Sequence, residues 1–284
     1  MMINTYQMSN ITVIKRSGEQ VAFSEEKVLR SMRRVGVPES LQPQVLQHIR
    51  ERISGSSITT DEIFSHILEF LKGKDKKSSI RFNLRQAVFE LGPTGFPFEK
   101  YIQRVFQSQG YNAQVDVILP GECVNHEIDV LIEKDGKKEI VEVKFHNQTV
   151  GKTDVQVTLY VYARFLDVKE KNNIDGVWVI TNTKLTTDAI DYARCKGIKV
   201  IGWNYPEVGN LQDFVENPKM YPVTILTSLT GEEKQRLLEN NVVLSCDLLN
   251  YKKEELSEKF LIDDSRLSEA LDSAKIICGE VHAS

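Results

Sequence analysis

The chain has 284 residues, 41% of them hydrophobic and 27% charged, and no apolar stretch nears the roughly 20 residues that span a bilayer; two compact domains fit, a membrane-spanning protein does not. A net charge of −4 excludes a protein that coats nucleic acid indiscriminately, because neutralising phosphates takes a basic surface. Residues 1–100 carry 15 Lys and Arg against 11 Asp and Glu, residues 101–205 carry 13 against 14, and residues 206–284 carry 8 against 15, so DNA would have to meet local basic patches and not the acidic tail.

The opening MMINTYQMSNITVIKR lacks the basic segment, apolar run and cleavage site of a secretory signal, so a cytoplasmic location without a membrane partner is expected. Cys123, Cys195, Cys246 and Cys278 form no CxxC pair, which predicts reduced, mostly buried thiols, with neither a zinc site nor a disulfide framework.

In chain order, ITVIK and EQVAF read as strands of a hairpin with SG in its turn. Ser24 then caps a helix, without a full capping box because Lys27 stands three residues on, and Val28, Met32 and Val35 supply its apolar stripe. Further helices are predicted at 41–53, 60–72 and 79–91, with Thr60 as N-cap of the second of these and Ile63, Ile67, Phe70 and Leu71 on one face. LGPTGFP at 91–97 is the clearest punctuation, placing domain boundaries at 1–93, 94–205 and 206–284. Beyond it come a helix at 98–109, strands at 113–119, 126–133 and 138–145, a helix at 153–170, a strand at 177–181, a helix at 185–196 and a strand at 198–202. Alternation after a meander implies an α/β sandwich with a mixed sheet. The remainder reads as a helical C-terminal extension, a packing or oligomerisation element in view of its acidity.

HEIDVLIEKDGKKEIVEVKFH reads as a β-hairpin about the Asp135-Gly136 turn. Glu142 and Lys144 project to one face, and Val141, Val143 and Phe145 to the other. Asp129, among apolar neighbours on the partner strand and roughly opposite Glu142, costs several kcal/mol unless paired or bound to a cation. Two carboxylates on adjacent strands suit Mg²⁺ or Mn²⁺, and Lys144 would stabilise or help deprotonate an attacking water. The three residues alone equally fit a solvated strand face.

The run FEKYIQRVFQSQGYNAQVDV, the hairpin with HEIDV and EIVEVKFH, the helix containing Gln156 and the later VWVITNTKLTTDAIDYARCKGIKVIGW together resemble the Mrr-type branch of the PD-(D/E)XK nucleases over about 97–203. The resemblance implies that Asp129 and Glu142 bind the metal, that Lys144 serves the water, and that Glu99 and Gln156 support them. It implies a DNA substrate, consistent with restriction of foreign DNA; RNA or branched DNA is not excluded, nor is a nucleotide-responsive DNA-binding protein that keeps the fold without turnover. His126 stands where such sequences often carry glycine, as a structural histidine or a phosphate contact. GKT at 151–153 imitates a P-loop, but His146 occupies the position of the required first glycine; Lys152 is instead expected to meet a DNA phosphate.

VIKRSGEQVAFSEEKV, with the later TTDEI and RFNLRQAVF, resembles the ATP-cone, a hairpin plus helical bundle that binds adenine nucleotides as regulators, over about 11–90. The resemblance implies ATP or dATP as ligand, Lys15, Arg16 and Lys27 approaching its phosphates, and Val13, Ser24 and Thr60 around base or ribose. Basic side chains on a hairpin and a helix start suit a triphosphate. A homo-oligomer is expected.

Overall fold

The structure, a computed structural model, describes residues 11–53 and 55–279; the first ten residues, read above for a signal segment, lie outside them. Contacts divide the chain into two compact units after Leu84, ahead of the 91–97 punctuation.

In the first unit, β1 (Thr12–Ile14) pairs antiparallel with β2 (Gln20–Ala22) as expected. A strand not foreseen, β3 (Ser57–Thr59), pairs parallel with β1 on its other side. Around this sheet lie α1 (Glu25–Arg34), α2 (Gln42–Arg52), α3 (Thr60–Lys74) and α4 (Lys76–Phe82). Ser24 caps α1 by accepting the Lys27 N–H. The expected cap at Thr60 is corrected to Thr59, whose hydroxyl takes the Glu62 N–H while Glu62 returns to the Thr59 N–H, a full capping box. Met32, Val45, Ile49, Ile67 and Leu71 fill the core between sheet and helices. The helix expected at 79–91 is two helices, α4 and α5 (Leu84–Phe89), because Asn83 turns its N–H back to Ser79 and Ile80 between them.

The second unit takes in all of α5 but Leu84 and continues with α6 (Phe96–Ser108). Pro97 suits the first turn, and Phe98, Tyr101, Ile102, Val105 and Phe106 form its buried stripe. A five-stranded sheet follows in the order β10-β8-β6-β5-β4. Its members are β4 (Asn112–Pro120), β5 (Asn125–Lys134), β6 (Lys137–Lys144), β8 (Gly176–Thr181) and β10 (Lys199–Ile201); the short β7 (Lys152–Thr153) and β9 (Lys184–Leu185) pair apart from it. β4, β5 and β6 run antiparallel, and β6, β8 and β10 parallel, giving the mixed sheet the alternation implied. Asp135 and Gly136, both at positive φ, make the tight turn joining β5 to β6. α7 (Val155–Asn172) and α8 (Thr187–Lys196) cover one face: Val161 and Val168 of α7 and Ala193 of α8 pack against Ile128, Ile140 and Val179. β6 is buried on both faces, as a central strand partnered by parallel β8 should be.

Residues beyond 205 do not stand apart. Helices α9 (Leu211–Glu216), α10 (Gly231–Glu239), α11 (Lys253–Phe260) and α12 (Asp264–Cys278) belong to the same unit as the sheet. Tyr101 of α6 donates its hydroxyl to the Met220 carbonyl at 2.7 Å, and Arg104 grips Asp247 at 2.8 Å. The expectation of four reduced, mostly buried thiols is corrected: Cys246 and Cys278 are disulfide-bonded across 32 residues, and Cys123 and Cys195 are exposed. Spacing concealed the pair because only the packing of α12 brings these two sulfurs together. Among the described residues, no helix is long and apolar enough to cross a membrane.

Candidate active site

The β5–β6 ladder runs from Lys134↔Lys137 to Val130↔Val141 and stops one step short of setting Asp129 against Glu142. Instead, Asp129 Oδ2 accepts the Val143 N–H at 2.7 Å, so a carboxylate replaces a strand carbonyl. On its other side the β4–β5 pairing skips Asp116, which has a left-handed backbone with φ of 55°. Ile128 and Leu131, three residues apart, pack against the same cluster, so strand alternation breaks between them. The break gives β5 a kink at Asp129, a position where sheets commonly re-aim a side chain.

Glu142 points from β6 toward α7 with its side chain only 3% exposed. Lys144 Nζ lies 2.7 Å from its Oε1, and Arg164 of α7 bonds its Oε2. Tyr160, one turn earlier on α7, meets the same guanidinium with both hydroxyl and ring. Glu99, in the first turn of α6, completes the group: its carboxyl is pushed up to about 7 by burial and by the charges of Asp129, Asp116, Glu127 and Glu142. Asp129 is pushed up to about 6, by burial first and by Glu142 second, against the Val143 N–H and the nearby cations. For Lys144, burial pulls the amine's pKa down, but its hydrogen bond to Glu142 and the carboxylate charges outweigh that, and the net direction is up.

The structure therefore brings Asp129, Glu142, Lys144 and Glu99 into one electrostatic cluster and adds Arg164, Asp116 and Glu127. Gln156 is elsewhere in its contacts: exposed in the first turn of α7, it engages Asp154 through its backbone N–H, and its side chain makes no hydrogen bond to the carboxylates. Arg164, two turns further along α7, is the α7 residue that reaches Glu142. Periodicity offered no signal for it; knowing that α7 covers the Glu142 face of β6 would have. Asn182 was also missed. Fully buried after β8, it accepts the His146 N–H at 2.8 Å and donates to the His146 carbonyl at 2.9 Å, fixing the chain two residues past Lys144.

His126 is held by Asp167 at 2.7 Å. Asp167 also receives the Cys123 and Val124 N–H groups, and the His126 contact leads the causes that hold its carboxyl well below the usual range. That pairing ties His126 to α7. Lys152 is exposed on β7. The P-loop reading of GKT fails on geometry, because Lys152 and Thr153 are strand-paired to β9 and the Asp154 carboxylate occupies the N-terminus of α7, where a phosphate would sit.

The residues implied for a nucleotide lie in the first unit. Val13 is buried in its core. Lys15, half-buried, pairs with exposed Glu19 at 2.9 Å, and Arg16 with Asp61 at 2.6 Å, both exposed; Ser24 caps α1, Lys27 is exposed, and Thr60 Oγ1 lies 3.5 Å from the Ile14 carbonyl.

Two family profiles match the chain: one described as "Restriction endonuclease" over residues 93–208, the other as "AF1548-like, C-terminal" over residues 221–278. An uncharacterised protein of Archaeoglobus fulgidus is 38% identical over 176 residues, covering 62% of this chain and 99% of that protein. A solved structure, described as a protein of unknown function, AF1548, aligns at a TM-score of 0.56 with 34% identity, over 66% of this chain and 99% of that one. The transcriptional repressors NrdR of Rhodopseudomonas palustris and Nitrobacter winogradskyi are 34% and 32% identical over 93 residues, covering 28% of this chain and 58% of theirs.

Proposed function

For a chain that belongs to the AF1548-like family and carries a restriction-endonuclease-like domain, we propose a metal-dependent endodeoxyribonuclease, acting in restriction of foreign DNA, whose activity answers to ATP or dATP. The observation that supports it most is the gathering of Glu99, Asp129 and Glu142 beside Lys144, with two of those carboxyls pushed up by burial and mutual repulsion. Like charges held together at such cost are relieved by a cation, and an all-oxygen donor set suits Mg²⁺ or Mn²⁺. Asp129 and Glu142 would hold the ion, with Glu99 beside them. When bound, it supplies neutralisation of a phosphate oxygen and acidification of a water.

The chain's own groups do the rest. Lys144, its pKa raised, stays protonated near neutrality, so Nζ stabilises developing negative charge rather than removing a proton. Glu99, at about 7, exchanges a proton near working pH and fits the acceptor role. Asn182 keeps the end of β6 from fraying and so holds Lys144 in place. The proposed nucleotide input rests on the resemblance of residues 11–90 to the ATP-cone and on the chain's likeness, over 28% of its length, to the NrdR proteins.

One observation favours a second reading, a nucleotide-responsive DNA-binding protein without turnover: Glu142 is already neutralised by both Lys144 and Arg164. Calorimetry separates the two. Mn²⁺ should bind at this pair in the wild type, and Asp129→Ala should lose that site with the circular dichroism unchanged. DNA binding with no divalent-ion binding at this pair would turn the assignment to the second reading.

A further inference from the structure

The first unit holds a second group of ligating side chains, independent of the nuclease reading. His48 lies on α2, and His66 and Glu69 lie three residues apart on α3, a spacing that puts both on one helical face. Among the described residues, this is the group of three or more His, Cys, Asp or Glu whose ligand atoms all lie within 4.8 Å of one another. Glu69 Oε2 sits 3.5 Å from His48 Nε2 and 3.7 Å from His66 Nδ1. Those separations are too long for good hydrogen bonds. They are close to the roughly 3.4 Å edge of a tetrahedron built on metal–ligand bonds of about 2.1 Å.

The two oxygens of Glu69 are divided. Oε1 receives the Arg52 guanidinium at 2.8 Å, while Oε2 faces both imidazoles. Such a carboxylate is oriented for one-oxygen ligation, with an outer partner fixing its rotamer. His48 Nε2 is buried and has no hydrogen-bond partner, and the Phe70 ring packs against its imidazole at 5.6 Å between centroids, an apolar wall on one side. Glu69, half exposed, leaves the other side open to solvent.

We propose that His48, His66 and Glu69 form a zinc site that ties α2 to α3, with the fourth position open to water. Two imidazoles and one carboxylate are the donor set of a borderline metal; they disfavour Mg²⁺ and Ca²⁺, which take oxygen ligands. Because the ligands come from two helices, binding braces the packing of the first unit.

The experiment uses the full chain, free of any affinity tag, carrying Asp129→Ala so that the other cluster contributes nothing. Zn²⁺ should bind at one equivalent and raise the melting temperature, Co²⁺ should show the visible absorption of a four-coordinate ion, and excess Mg²⁺ should displace neither. His66→Gln and His48→Gln should each weaken Zn²⁺ at least about 100-fold with the circular dichroism unchanged. Cys123→Ser combined with Cys195→Ser should keep full affinity. Zn²⁺ affinity unchanged in both histidine variants, loss of binding only in the cysteine variant, or ready displacement by Mg²⁺ would overturn the assignment. Should a histidine variant misfold, Glu69→Gln, half exposed, carries the same expectation of weakened binding, and its failure to weaken binding would also overturn it.

Discussion

The two units handle charge in opposite ways. In the first, the basic residues expected at a nucleotide are exposed and loosely matched: Lys15 with Glu19 and Arg16 with Asp61 are pairs whose side chains are 39–58% exposed. Pairs of that kind are worth at most about 1 kcal/mol, and an arriving phosphate can replace the carboxylate at little cost. In the second, Glu142 and Arg164 are 3% and 11% exposed, and Asp129 and Glu99 are held away from their ordinary pKa values. Exposed charge is available for a ligand yet says little about which one. Buried charge costs so much that it must be answered locally, and so it declares chemistry.

The contrast can be broken most sharply at the buried pair. Arg164→Ala leaves Glu142 with Lys144 alone and should destabilise the metal-free protein by about 3 kcal/mol in denaturant unfolding. Arg16→Ala, losing an exposed pair, should cost under about 1 kcal/mol. Equal costs would erase the distinction.

A smaller effect sharpens the first unit. If its basic residues serve a triphosphate, Lys15→Ala or Lys27→Ala should weaken ATP or dATP binding about tenfold by calorimetry, the loss of one charge-assisted hydrogen bond. Unchanged affinity in both variants would remove that site while leaving the nuclease assignment standing.

The smallest effect is in pH dependence, and Glu99 and Glu62 pull it in opposite directions. Glu99 is raised from 4.5 to about 7, so its ionised form is the disfavoured one in the fold; the metal-free protein keeps this contribution below about pH 4.5 and loses it as pH climbs through 7. Discounted for solvent screening of a half-buried group, the loss is about 1 kcal/mol. Asp129 acts in the same direction between 3.8 and about 6. Glu62, lowered chiefly by the Thr59 N–H in the capping box, acts oppositely: its contribution is present above pH 4.5 and lost on acidification. Stability measured against pH should flatten at its neutral end in Glu99→Gln and at its acid end in Thr59→Ala.

Much of the second unit was legible because its signals are local. Asp135-Gly136 set the hairpin turn, alternation set the faces of β6, and the resulting register brought Asp129 near Glu142 as counted. What could not be read is what depends on one element lying over another. Arg164 matters only because α7 covers β6, the kink at Asp129 needs Asp116 across the ladder, and the Cys246–Cys278 bond needs α12 folded back. The first unit illustrates a different failure. Thr59 and Glu62 spell a capping box in the sequence, and assigning the cap to Thr60 overlooked the three-residue spacing that reciprocal bonding requires. β3 was passed over because three residues carry too little alternation to announce a strand.

The most direct test of the central claim is plasmid cutting by the purified full chain with Mg²⁺, compared with Asp129→Ala and Lys144→Ala. The expected result is cleavage by the wild type that stops on chelation and falls by at least about 100-fold in both variants, with circular dichroism showing the fold kept. Equal cutting by wild type and both variants would contradict it.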